Sequence, residues 1–94
     1  KLLENLVFCE LQKRGFEVYY YQDTNECDFI AIKEDKKIAI QVCYELGEQN
    51  QKRELNGLIK LPFEVDEKTI ITYNQNKTME NIEIISFYEY FWRN

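Results

Sequence analysis

The sequence predicts a single α/β domain in which a mixed central sheet is flanked by helices. Three observations lead to this fold class: strands rich in β-branched and aromatic residues follow a first helix, an amphipathic helix interrupts them, and more strands come after it. A chain of 94 residues with 45% hydrophobic content is long enough to bury one core. We therefore expect one domain over residues 1–94, with the element order αβββαββα.

The first helix is predicted over residues 1–14. Lys13 and Arg14 favour its C-terminal end through the helix dipole, and Gly15 follows as the stop. The apolar residues recur at spacings of three and four, which predicts a stripe on one side of the helix. This stripe consists of Leu2, Leu3, Leu6, Val7, Cys9 and Leu11.

Three strands in succession are predicted next, as a meander over residues 16–22, 27–33 and 36–45. The polar cluster at 23–26 and the charged pair Glu34 and Asp35 are the expected turns. Because side chains alternate along a strand, Ile38, Ile40 and Val42 should face one side of the third strand. Its other side should then carry Ala39, Gln41 and Cys43.

The second half of the chain is predicted to begin with an amphipathic helix over residues 48–61, which Pro62 closes. The elements expected after it are a strand at 68–74, a polar turn at 74–81, a strand at 82–87 and an aromatic terminal helix at 88–94. A meander followed by a helix and further strands is typical of a mixed sheet with helices against it.

Charge and cysteine content narrow the function classes. With 12 basic and 17 acidic residues the net charge is −5, which argues against a domain that holds nucleic acid by charge alone. The sequence contains neither a run of roughly 18 apolar residues nor a signal-peptide pattern, so we expect no membrane contact and a cytoplasmic protein. The absence of histidine disfavours zinc, and the three cysteines are expected to be free, buried and reduced.

Four polar residues interrupt apolar patterns and are the candidates for chemistry: Glu4 and Glu10 in the first helix, Asp28 in the second strand and Gln41 in the third. Oxygen ligands from two elements can hold a hard cation such as Mg²⁺, which activates water and stabilises charge on a transferring phosphate. The alternatives are structural. Glu10 can be a buried carboxylate satisfied by a tyrosine or by backbone N–H groups, and Asp28 can accept hydrogen bonds from the turn at Thr24 and Asn25.

These residues carry a resemblance. Asp28, then Gln41 thirteen positions later, then Cys43 resemble the D…(D/E/Q)xK signature of the PD-(D/E)XK nuclease superfamily, whose restriction-endonuclease-like αβββαβ core matches the expected element order. Glu4 resembles the helical acid that archaeal Holliday-junction resolvases place beside their strand acids. The resemblance implies a metal site at Glu4, Asp28 and Gln41, with catalytic roles for these residues and for the lysine position.

The sequence departs from that signature at two positions. Gln41 replaces an acid, which weakens the hold on a divalent cation, and Cys43 stands where the family has its lysine. A thiol is mostly neutral at pH 7, and loss of a cationic group at a phosphoryl-transfer site lowers the rate by about 10²- to 10³-fold. Lys33, Lys36 and Lys37 are the candidates to replace it, although the last two should point to solvent at the turn.

A closer resemblance covers nearly the whole chain and carries the segments "LLENLVFCELQKRGFEVYYY", "ECDFIAIK", "IQVCYEL" and "IITYN". The chain resembles the C-terminal domain of unknown function of bacterial and archaeal AAA-type ATPases. That resemblance implies an upstream ATPase module, and the start at Lys1 is what a piece of a longer protein would show. This chain has no GxxxxGKT-type loop, so we expect no bound nucleotide.

Three functions remain open from the sequence. The first is a non-catalytic accessory module of such an ATPase, in contact with the ATPase, with a partner protein or with DNA. The second is a weak Mg²⁺- or Mn²⁺-dependent DNA endonuclease that uses Glu4, Asp28 and Gln41. The third is a structural domain whose polar residues are satisfied core groups. The missing lysine and the acidic charge favour the first.

Overall fold

The computed structural model describes residues 2–21 and 27–92. The chain begins with α1 (Leu2–Lys13), which ends where the sequence predicts. Gly15 has a φ of 91°, and the Phe16 N–H donates to the carbonyl of Leu11 at 3.1 Å. Glycine takes this left-handed conformation without steric cost, and the bond returns the chain toward the helix. The first strand therefore starts directly after the helix.

Six strands form one mixed sheet in the order β1-β2-β3-β4-β6-β5. The first three strands make the expected antiparallel meander, β3 pairs parallel with β4, β4 pairs parallel with β6, and β5 pairs antiparallel with β6. The strands are β1 (Glu17–Tyr21), β2 (Cys27–Lys33), β3 (Lys36–Val42), β4 (Glu67–Thr72), β5 (Lys77–Met79) and β6 (Ile82–Ser86). The remaining helices are α2 (Gln51–Ile59) and α3 (Phe87–Trp92).

The predicted α/β class and mixed sheet are confirmed, with one strand more than expected. The segment 74–81, which the sequence predicts as a polar turn, contains β5, a short edge strand that pairs with β6. The turn itself is confined to Glu80 and Asn81, which have φ values of 51° and 66°. The strand forms because Met79 packs on the core while polar neighbours face water, a pattern too short to predict a strand. The turn predicted at 23–26 lies outside the described residues.

The two faces of the sheet bury separate cores. α1 and α3 cover one face, whose buried side chains are Val7, Leu11, Phe29, Ala31, Ile38, Ile40, Ile71, Ile85 and Phe91. α2 covers the other face, whose buried side chains are Ile30, Ala39, Cys43, Leu46, Leu55, Leu58, Ile70, Ile82 and Ile84. The predicted alternation along β3 is therefore confirmed.

The apolar stripe predicted along α1 is wrong in part. Val7 and Leu11 are fully buried, whereas Leu2, Leu6 and Cys9 are exposed. At 100° per residue the three exposed side chains point about 150° away from the two buried ones, so no single packing surface can cover them all. The expectation that Cys9 is a buried thiol is likewise wrong, while Cys43 is buried as expected.

Candidate functional site

Strands β2 and β3 diverge at the position of the candidate acid and amide. Their ladder runs from Lys33 opposite Lys36 to Phe29 opposite Ile40 and stops there. Gln41 is the next residue of β3, and on the other edge of that strand it pairs with Ile70 of β4. Asp28 and Gln41 would have been the next pair of the ladder. They are thus the first residues at the open end of the hairpin.

The side chains of Asp28 and Gln41 bridge this gap. The Asp28 N–H donates to Oε1 of Gln41 at 2.9 Å, and the Val42 N–H donates to Oδ2 of Asp28 at 2.8 Å. Each side chain replaces a backbone acceptor that the diverging strand no longer supplies, which explains an aspartate inside a strand. The structure thus brings Asp28 and Gln41 side by side. Asp28 thus binds β3, whereas Thr24 and Asn25 lie outside the described residues.

Cys43, which stands where the nuclease signature that this chain resembles has its lysine, is a buried thiol with hydrogen-bond partners. Its Sγ donates to the carbonyl of Glu45 at 3.3 Å and lies 3.5 Å from Nδ2 of Asn50. Burial, followed by the charge of Glu54, raises the pKa of the Cys43 thiol above its ordinary value of 9.0. The side chain is therefore neutral at pH 7 and contributes no positive charge to this site.

Two amides that the sequence reasoning missed hold the chain after β3. Asn50 accepts the Gly47 N–H at 2.8 Å and donates to the carbonyl of Glu45 at 3.1 Å. Gln75 accepts the Leu46 N–H at 2.7 Å and donates to the Leu46 carbonyl at 2.9 Å. Asn50 lies within the helix predicted over 48–61, and its side chain makes no cap hydrogen bond to α2, so the predicted helix gave no signal for its role. Nothing local marks Gln75, whose partner lies 29 residues away in sequence.

The lysines considered as replacements lie at the closed end of the hairpin. Nζ of Lys33 donates to the Arg14 carbonyl at 2.7 Å, and Lys36 forms an ion pair with Glu67 at 2.7 Å. Nζ of Lys37 lies 5.5 Å from the ring centroid of Phe63. Lys33 is five residues from Asp28, and five residues of strand span about 16 Å. These cations are therefore held away from the open end.

The two candidate glutamates of α1 have different surroundings. Oε2 of Glu10 accepts Nε of Arg14 at 2.8 Å, and this hydrogen bond holds the pKa of Glu10 below its ordinary value of 4.5. The expectation that a tyrosine or backbone N–H groups satisfy a buried Glu10 is wrong, because this carboxylate is only partly buried and its partners are Arg14 and Lys13. Glu4 lies on α1, which packs on the face of the sheet opposite to the Cys43 side chain. Within residues 2–21 and 27–92, no three Asp, Glu or Cys side chains cluster closely enough to share a metal ion.

Glu4 instead lines a groove of about 460 Å³ between α1 and the carboxyl ends of β3 and β4. We call it the tyrosine groove; apart from Glu4 its lining residues are Leu2, Leu3, Leu6, Val42, Tyr44 and Tyr73. The rings of Tyr44 and Tyr73 stack at a centroid distance of 4.9 Å and an interplanar angle of 13°. The Tyr73 N–H also donates to the Tyr44 carbonyl at 3.0 Å. The groove therefore has a stacked aromatic wall whose backbone is also tied together.

Comparison with known proteins identifies relatives but not their activities. The chain is 38% identical to an uncharacterized protein of Methanocaldococcus jannaschii over 107 aligned residues, covering 96% of this chain and 24% of that protein. It is 36% identical to an uncharacterized protein of Haemophilus influenzae, covering 88% of this chain and 21% of that protein. The chain thus spans about a quarter of the length of these curated relatives. No solved structure matches it significantly.

A search for helices able to cross a membrane, made over the described part of the chain, finds none. The family model for a domain of unknown function, DUF4143, matches residues 1–92. This match extends over all the strands and helices that surround the open hairpin end and the tyrosine groove. The chain therefore belongs to the DUF4143 family.

Proposed function

We propose that this domain is a non-catalytic, nuclease-like accessory module of a cytoplasmic AAA-type ATPase, and that it works by contact with protein. The observation that carries the proposal is the use of Asp28 and Gln41. Their oxygen atoms accept backbone N–H groups from the strands that diverge at this point. Side chains that accept these hydrogen bonds hold the sheet together and so have a structural role. The presence of Asp28 and Gln41 at the positions of a catalytic signature therefore needs no catalytic explanation.

The electrostatics of the open hairpin end support the same conclusion. A divalent cation must be held against its own hydration, which requires several negatively charged oxygen ligands. Gln41 is neutral, so the second acid of the nuclease signature is missing. The thiol of Cys43 has a raised pKa and carries no positive charge, so the cationic group of the signature is missing as well. Oδ2 of Asp28 already accepts the Val42 N–H, so a cation at this point would have to share that carboxylate with the backbone.

The ATPase part of the proposal rests on the family. DUF4143 domains commonly stand at the carboxyl end of AAA-type ATPases. The relatives are about four times as long as the segment that matches this chain, which leaves ample length for a nucleotide-binding module in them. Protein is favoured over DNA as the contact because the net charge is −5 and the tyrosine groove is mainly apolar.

The test is a Mg²⁺ and Mn²⁺ titration of the ¹⁵N-labelled domain, run beside cleavage of branched and linear DNA. The amide signals of Asp28 and Val42 report directly on the two oxygen atoms that a metal would capture. We expect both signals to stay in place up to millimolar metal, and no cleavage by the wild type or by Asp28→Ala. Asp35→Ala is the matched control, because it removes an exposed aspartate at the closed end of the same hairpin.

The competing function is a weak metal-dependent endonuclease with Glu4, Asp28 and Gln41 as ligands. It predicts that metal shifts or broadens the Asp28 and Val42 signals at micromolar to low millimolar concentration. It also predicts cleavage that Asp28→Ala abolishes and Asp35→Ala leaves intact. That combination of results would overturn the proposal of a non-catalytic module.

A further inference from the structure

The tyrosine groove brings four exposed apolar side chains together on one concave surface. Leu2 is 74% exposed, Tyr44 62% and Tyr73 56%, and Leu6 on the next turn of α1 is 45% exposed. A domain of this size exposes single apolar residues without consequence, but contiguous patches that line a concave surface mark contact sites. The tyrosine groove is therefore a candidate contact site.

The walls of the groove restrict the shape of the occupant. One wall is helical, with Leu2 and Leu6 at a spacing of four along the outer side of α1. The other wall is the stacked pair Tyr44 and Tyr73, with Val42 at the base. Apolar grooves beside a helix typically receive an amphipathic helix through side chains spaced three and four residues apart. Stacked aromatic rings lose little conformational freedom on binding and are suitable anchors.

The charge of the groove restricts the chemistry of the occupant. Glu4 is the charged side chain among the described residues that line it, and the domain as a whole carries a net charge of −5. An acidic segment would be repelled, whereas a lysine or arginine beside the apolar residues of the occupant would pair with Glu4 at the rim. A second copy of this chain would also carry a net charge of −5, and like charges disfavour the approach of two copies.

We propose that the tyrosine groove seats an amphipathic segment with a basic residue, supplied by the remainder of the longer chains that carry this domain. The inference rests on the proposed function and identifies the contact surface of the accessory module. Its support is the length of the relatives, in which about three quarters of the chain lies outside the matched segment and is covalently tethered to it. Tethering gives a segment a high effective concentration, so a modest groove is sufficient.

The test uses the full-length Methanocaldococcus jannaschii relative with its matched segment replaced by this chain. Hydrogen exchange of the chimera is compared with that of the isolated chain. We expect the amides of the first turns of α1 and of residues 42–44 and 73 to exchange at least tenfold more slowly in the chimera. Leu6→Ser with Tyr44→Ser should abolish that difference, while the control Tyr19→Ser, which removes a similarly exposed tyrosine from β1, should not. Glu4→Lys should reduce the protection.

Other outcomes contradict the inference in distinguishable ways. Protection confined to another surface overturns the groove and leaves the accessory function standing. The isolated chain could sediment as a dimer, and Tyr44→Ser could make it monomeric. That result would show that a second copy of the chain occupies the groove and would overturn the inference. Asp28-dependent DNA cleavage by the chimera overturns the proposed function itself. Should the chimera not fold, the labelled chain is mixed with the remainder of the relative's chain, and absence of signal changes at the groove counts against the inference.

Discussion

The two sides of the sheet differ sharply at the carboxyl end of β3. On the side covered by α2, Cys43 is buried against Leu46 and Leu55, and its thiol has hydrogen-bond partners. On the side covered by α1, the next residue, Tyr44, is 62% exposed and lines an open groove. Side chains alternate along an extended chain, so one position in sequence separates a closed apolar layer from an accessible surface.

This difference indicates where function can reside. On the side that holds the positions resembling the nuclease signature, Oδ2 of Asp28 and Oε1 of Gln41 accept backbone N–H groups. The opposite side exposes apolar area that the domain does not cover by itself. Catalysis needs polar groups that can bind a ligand, whereas binding to another protein needs exposed apolar surface that can be buried. The tyrosine groove supplies exposed apolar surface.

The largest effect should come from placing the lysine of the nuclease signature on the closed side. We expect Cys43→Lys to destabilise the domain by about 3 kcal/mol or more, because a longer side chain must fit into a packed layer and its ammonium must leave water, which the nearby Glu54 carboxylate offsets only in part. The matched control is Tyr44→Lys, one residue later on the open side, which should change stability by about 1 kcal/mol or less. Urea denaturation followed by circular dichroism measures both.

If Cys43→Lys lowers the stability no more than Tyr44→Lys does, the two sides of the sheet do not differ in the way described. Such a result would mean that the closed side admits a charged group with water or ions around it. The signature lysine could then be restored, and cleavage by the Gln41→Glu, Cys43→Lys double variant would become the next measurement.

A smaller effect is expected at the bridge between β2 and β3. Asp28→Ala should lower the free energy of unfolding by about 2 kcal/mol, because the Val42 N–H loses a charged acceptor. Asp28→Asn keeps an acceptor oxygen and should lower it by about half as much. Equal stability of all three proteins in chemical denaturation would show that Asp28 is not needed to hold the diverging strands, and a functional reason for the residue would be required.

The smallest effect concerns the acid dependence of α1. Arg14 depresses the pKa of Glu10, so this carboxylate contributes stability above the ordinary pKa of 4.5, and the contribution is lost as the pH falls through the lowered pKa. We therefore expect the stability difference between wild type and Glu10→Gln to shrink below pH 4.5. Thermal unfolding at pH 7 and at pH 3 measures it. Arg14→Gln removes the largest cause of the lowered pKa and should remove most of this acid-dependent part, while the weaker ion pair of Glu10 with Lys13 remains.

Local patterns in the sequence were sufficient for most of the secondary structure. Periodicity and stop signals predict α1 with Gly15 as the stop after it, the meander of β1 to β3, the helix α2 and the later strands β4 and β6. The alternation along β3 also places Ile40 and Cys43 on opposite sides correctly. These features depend on residues close together in the chain. Their geometry is set by backbone sterics and by which side chains avoid water.

Contacts between distant segments were decided only by the tertiary structure. The Asp28 acceptor for Val42, the Gln75 clamp on Leu46 and the short strand β5 each need partners that sequence spacing does not identify. The same holds for the exposure of Leu2 and Leu6, which belong to an apolar helix but point away from the sheet. Sequence determined which residues are apolar or polar, and packing determined which of them found a partner, because burial depends on where the sheet lies relative to each helix.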